Sequence, residues 1–71
     1  MSENKYESII YWDQADGIFV VEVPELAGCK AHGSTKREAL ERAEQAASLW
    51  LETARSQGRE IPNPKGKLAF A

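Results

Sequence analysis

The chain has one cysteine, Cys29, and one histidine, His32. A lone thiol excludes an internal disulfide, and no Cys/His spacing suited to a structural zinc is present. Positive charge is also scarce: nine Lys and Arg stand against eleven Asp and Glu, giving a formal net charge of −2 and a pI near 5.3. A domain that binds nucleic acid unaided shows a basic stripe that neutralises phosphates. Here the basic clusters are only Lys36-Arg37, set beside acidic residues, and Lys65-Gly66-Lys67. No direct nucleic-acid binding is therefore expected, and the acidic balance suits a basic protein partner. Long apolar runs are missing, and Met1 to Lys5 is polar, so neither a membrane span nor a secretory signal is expected. A cytoplasmic location, where a single free thiol is tolerated, follows as the expectation. Seventy-one residues allow one domain, 1–71, and a domain of this size is marginal alone. Without disulfide or metal, stability must come from tight packing or from association. A homodimer or homotetramer is expected.

What is present is organised around Pro24 to Leu40. Pro24 cannot donate a ladder hydrogen bond and so tends to end a strand or sit at an edge. Gly28 and Gly33 bracket Cys29 to His32, short enough for one strand, and each is expected to serve a turn. Thr35 and Glu38 form a T-x-x-E capping box, with the Thr hydroxyl accepting from the first helical turn and Glu38 reaching back to the Thr35 N–H. Upstream, Tyr6 to Trp12 and Ile18 to Val23 are rich in aromatic and β-branched residues and read as strands. The Asp13–Gly17 turn is too short for a parallel crossover, so they form an antiparallel hairpin. If Trp12 sits opposite Ile18, one face carries Ile9, Tyr11, Phe19, Val21 and Val23. The other then carries Tyr6, Ile10, Trp12, Ile18, Val20 and Glu22. Both are apolar, yet one helix covers only one, and the Phe19 face is the one expected beneath it. Tyr6, Ile10, Trp12, Val20 and Glu22 are thus the candidate partner or oligomer contacts.

The helix is expected from about Lys36 to about Gln57, with Ala39, Leu40, Ala43, Ala47, Trp50, Leu51 and Ala54 at helical spacing. Its Ala-rich face permits close approach to the sheet, with Trp50 and Leu51 supplying most of the burial. Gly58 is the expected stop. Residues 5–57 form the core, and 58–71 an extended tail around Pro62-Asn63-Pro64. Leu68 to Ala71 is a candidate fourth strand, in this chain or in a neighbour. The fold class is α+β: an antiparallel sheet of three to four strands with one long helix packed on one face.

The run V-P-E-L-x-G-C-x-x-x-G-x-T-x-x-E-A-L resembles the signature of the HicB-type antitoxin family, in a short form. Tyr6 to Trp12, Asp16-Gly17 and Gly58…Ile61-Pro62 extend the resemblance on both sides. Pro24, Gly28, Gly33, Thr35, Glu38 and Ala39 match the pattern, with structural roles in turns, cap and close helix packing. The resemblance implies a β-β-β-α-β order, a partial ribonuclease-H-like sheet. It also implies a partner: a HicA-type toxin, a small basic messenger-RNA interferase neutralised by protein–protein contact. Many such proteins carry a C-terminal DNA-binding segment, and no such segment appears before Ala71. The family motif transfers no catalytic residue, and no cofactor is expected.

Cys29 and His32 make a formal C-x-x-H, but alternation along a strand points them to opposite faces, so Cys29 reads as a small core residue. Asp13, Asp16 and Glu22 are the carboxylates nearest one another. A small metal-dependent nuclease on a ribonuclease-H-related scaffold would use such a cluster, whereas Asp in a turn ordinarily caps backbone. Gly28 and Gly33 lack the Lys and the βαβ context of a phosphate loop. Tyr11, Trp12 and Phe19 read as core or interface rather than as a base-stacking platform. A stand-alone oligomeric scaffold is the remaining alternative.

Overall fold

A left-handed glycine and a proline-led loop divide the first half of the chain into three strands. The computed structural model describes residues 5–66. It contains β1 (Ile9–Asp13), β2 (Ile18–Glu22), β3 (Lys30–Gly33) and α1 (Lys36–Ser56). The strands form one antiparallel sheet in the order β1-β2-β3, and α1 lies across β3 and β2. This is the expected α+β architecture. The expected fourth strand at 68–71 lies outside the described residues.

The β1–β2 register differs from the expected pairing of Trp12 with Ile18. Asp13 pairs with Ile18, and Trp12 with Phe19. Asp13 closes the turn itself: its carbonyl accepts from the Gly17 N–H at 2.8 Å and its Oδ1 from the Asp16 N–H at 3.2 Å. Gly17 takes φ +65° there. The shift exchanges the faces of β1. Ile10 and Trp12 share the helix side with Phe19 and Val21, while Ile9 and Tyr11 share the open side with Ile18, Val20 and Glu22. The Phe19 face is the one beneath α1, as expected: Val21 is fully buried against Ala39 and Ala43, with Phe19, Ala31 and Leu40 packed around them.

Thr35 caps α1 as the sequence indicates, its hydroxyl accepting from the Glu38 N–H at 3.0 Å. The return bond is different. Glu38 Oε1 accepts from the N–H of Ser34, not of Thr35, at 2.8 Å, and from the Ser34 hydroxyl at 3.1 Å. These two bonds, and Arg42 with a nitrogen 3.9 Å away, hold the Glu38 carboxyl below its ordinary pKa. A depressed carboxylate stabilises the fold above its unfolded pKa, and that contribution is lost as pH falls through the folded value. Glu38→Gln is therefore expected to lower the urea midpoint at neutral pH, with the gap to wild type shrinking on acidification below about pH 4.5. Unfolding titrations from pH 7 to pH 3 check this; a gap independent of pH would remove Glu38 from the cap.

At the other end, Gly58 adopts φ +67° and closes the helix as expected. Its N–H donates to the Arg55 carbonyl at 3.1 Å and that of Arg59 to Ala54 at 2.8 Å, the two bonds of a Schellman motif. The fully buried residues of α1 are Ala39, Ala43, Ala47 and Ala54, while Trp50 and Leu51 are half-buried and pack against the core cluster. The alanines let the helix approach the sheet. Trp50 instead reaches over the Pro24–Gly28 loop, donating from Nε1 to the Ala27 carbonyl at 2.9 Å.

Gly33 has an ordinary strand backbone, so it is not a turn glycine. A Cβ there would meet the Ala39 nitrogen at 2.6 Å. Its lack of a side chain lets β3 and the first turn of α1 touch, whereas Gly28, at φ +75°, is a genuine corner.

Candidate functional site: the uncovered surfaces of the sheet

Among the described residues α1 packs on β3 and β2, and two surfaces of the sheet lie outside that contact. The first is the open face. There the register aligns Tyr11, Val20 and His32 across the three strands, with Ile9, Glu22 and Lys30 in the next row. Val20 is buried at the centre by its neighbours. Around it, Tyr11, Asp13, Asp16, Ile18, Lys30 and His32 line a shallow depression of about 380 Å³. The Tyr11 hydroxyl donates to Glu22 Oε2 at 2.7 Å, and that carboxylate raises the phenol pKa above its usual 10.0. The phenol is therefore a neutral donor at physiological pH. The face combines apolar area with Asp13, Asp16 and Glu22, opposed by Lys30 alone among the lysines and arginines of these strands.

The second surface is β1 itself. Ile9, Ile10, Tyr11 and Trp12 are 38, 37, 41 and 52 % exposed, although they alternate between the two faces. Trp12 packs edge-on against Phe19 at 5.0 Å, and Lys36 Nζ sits 5.9 Å above the Phe19 ring.

The five candidate contact residues therefore do not share a face. Val20 and Glu22 lie on the open side. Ile10 and Trp12 overhang on the helix side. Tyr6 packs beneath the C-terminal half of α1 and donates its hydroxyl to the Pro62 carbonyl. Sequence reasoning missed Tyr11 as an open-face residue, and only the register reveals it.

The chemical candidates are also placed. Cys29 is buried with Val23, Leu26 and Ala47, and burial pushes its thiol pKa up, opposite to what a nucleophile needs. His32 is exposed on the open side, so the two do point apart. Asp13 caps its turn and Glu22 receives Tyr11. Among the described residues, no three His, Cys, Asp or Glu side chains come together to hold a metal ion. Also among the described residues, no helix is long and apolar enough to cross a membrane.

Comparison with known proteins points one way. Residues 6–69 match the family model described as the HicB-like antitoxin of bacterial toxin–antitoxin systems. A UPF0150 protein of Synechocystis is 39 % identical over 61 residues, covering 86 % of this chain and 84 % of its own. A UPF0150 protein of Thermoplasma acidophilum is 41 % identical over 58 residues, covering 82 % and 83 %. No solved structure matches significantly.

Proposed function

The chain belongs to the HicB-like antitoxin family, and from that membership we propose that it neutralises a HicA-type messenger-RNA interferase by binding it. The toxin of this reading is a small basic protein, and the antitoxin acts as a homodimer or homotetramer in the cytoplasm, where messenger RNA is translated. It has no catalysis of its own.

The observation that carries this reading is the open face. It joins apolar contact area around Val20 to an acidic rim of Asp13, Asp16 and Glu22. Apolar area supplies affinity, while the carboxylates attract and orient a basic partner. Tyr11, held neutral against Glu22, offers the rigid amphipathic anchor common at interface centres. Val20 and Glu22 remain contact residues in this reading, joined by Tyr11 and Ile18. The Tyr6 hydroxyl is used within its own chain.

Two of the three carboxylates the nuclease alternative would use are engaged otherwise, Asp13 in its turn and Glu22 with Tyr11.

The test is co-expression with the small basic protein encoded by the adjacent reading frame. Growth arrested by that protein is expected to recover with the wild-type chain. Glu22→Arg is expected to weaken binding by about 10-fold or more, since like charges then meet across the contact. Glu52→Arg, on the exposed side of α1, is the control and is expected to bind normally. Full protection by Glu22→Arg would remove the open face from the contact.

A further inference from the structure

We propose that the seam between β3 and α1 is a groove for an extended acidic segment of another protein, which adds to the sheet as a strand beside β3. The inference is independent of toxin binding, which was assigned to the open face.

The backbone of β3 offers the pairing groups. The Cys29 carbonyl accepts from the Val23 N–H at 3.0 Å, so Cys29 turns its backbone toward β2. That direction alternates along a strand. Lys30, opposite Glu22, and His32, opposite Val20, therefore turn their N–H and C=O groups outward. Arg42 bears this out from α1, its Nη1 donating to the His32 carbonyl at 3.1 Å. Among the described residues, the outward N–H and C=O of Lys30 have no partner. These are the groups to which an added strand bonds.

The seam is shut at one end and open at the other. At Gly33 strand and helix touch. From Lys30 back to Gly28 they part, leaving a groove of about 300 Å³ whose other wall is α1. Its apolar lining is Ala46, the half-buried Trp50 and Leu49, which is 65 % exposed. Its charged residues are Lys30 and Arg59, the latter with its guanidinium 5.6 Å above the Trp50 ring. Among the described residues, no carboxylate lines it. In a chain of net charge −2 this is a local reversal of sign.

Charge chooses the occupant. A strand laid beside Lys30 sends its side chains alternately to the two faces of the sheet. Those on the helix side meet Leu49 and Trp50, and those on the open side meet the Lys30 side chain. The segment that fits alternates apolar and acidic residues. A basic partner is repelled here and drawn to Asp13, Asp16 and Glu22 instead. The chain's own tail brings Lys65 and Lys67, which have the same sign as the groove. A second copy paired on this edge about a two-fold axis sets one Lys30 against the other.

The experiment is an amide NMR titration of the full chain with an acetylated, amidated pentapeptide of alternating glutamate and leucine. At low salt the peptide is expected to shift Lys30, Ala46, Leu49 and Thr53 and to slow exchange of the Lys30 N–H. Binding is expected to weaken as salt is raised. Leu49→Glu is expected to weaken it by about 10-fold or more, because a like charge then stands on the apolar wall. Lys30→Gln and Arg59→Gln are expected to weaken it by about 2- to 5-fold each, the scale of an exposed ion pair. All three positions are exposed, so helical circular dichroism should not change. The matching lysine–leucine peptide is expected not to bind. No shifts with the acidic peptide overturn the proposal. So does binding that survives Leu49→Glu, or equal binding of the lysine peptide. A Lys30 N–H already slow to exchange without peptide also overturns it. Protection independent of protein concentration would put the chain's own tail in the groove, and protection that rises with concentration a second copy. Toxin neutralisation is read with Glu22→Arg on the open face and stands or falls separately.

Discussion

Leu26→Ala is expected to lower the unfolding free energy by about 2–5 kcal/mol, the range for emptying a buried leucine site. Leu26 is fully buried, although it belongs to neither a strand nor the helix. The Pro24–Gly28 loop folds inward around it: the Leu26 N–H donates to the Val23 carbonyl at 3.0 Å, and its carbonyl accepts from the Cys29 N–H at 2.9 Å. These bonds aim the side chain into a cluster with Val23, Cys29 and Ala47, against which Tyr6, Ala46, Trp50 and Leu51 pack. Of the four residues α1 contributes to this cluster, Ala46 and Ala47 are too short to swing into a leucine-sized hole. A domain of 71 residues has about 4–11 kcal/mol in total, so this one side chain accounts for a large share. Urea denaturation followed by tryptophan fluorescence checks it, because Trp50 covers the same loop. Leu49→Ala, at 65 % exposure, serves as the comparison and is expected to change stability by less than about 0.5 kcal/mol. A Leu26→Ala loss as small as that would show that the loop is not part of the core.

Leu26 also shows where sequence reasoning stops. Elements announced by local chemistry were legible. Thr35 capped a helix start, Gly58 ended it, Asp16-Gly17 made a turn, and alanines at helical spacing marked the inward face of α1. What depended on one element meeting another was not legible. An isolated leucine between Pro24 and Gly28 has no periodic neighbours to declare it inward. The β1 register failed for a related reason. Four consecutive apolar residues, Ile9 to Trp12, erase the in–out alternation that would have chosen between two pairings, and the choice fell to the Asp13 carbonyl and carboxylate. The same lack of alternation leaves apolar side chains of β1 exposed on both faces. On the open face, Val20 and Glu22 were legible from alternation within β2. Tyr11, which completes the surface, was not, because its side follows from that register alone.

Gly33→Ala is expected to cost about 1–3 kcal/mol, and more if the strand and helix cannot separate, through overpacking rather than through backbone conformation. The added Cβ would stand 2.6 Å from the Ala39 nitrogen and 3.0 Å from both the Glu38 carbonyl carbon and Cβ. Two of those three atoms are backbone in the first turn of α1, held by the Thr35 hydroxyl and the Ser34–Glu38 bonds, so no flexible side chain can yield. Relief requires lifting the helix start away from β3, which would uncover Val21 and Ala31. Gly28→Ala is the informative contrast. Nothing lies within 4 Å of its Cβ, but φ is +75°, so its cost is the left-handed backbone, about 1–2 kcal/mol. The two variants are told apart by exchange of the amides in β3 and the first turn of α1. Gly33→Ala should speed their exchange selectively, while Gly28→Ala should leave these amides slow relative to its own global stability. An alanine tolerated at Gly33 with slow exchange in both elements would mean that β3 and α1 are not in the close contact that fixes the helix on the sheet. The open face would then lose the rigid backing on which a partner-binding surface depends.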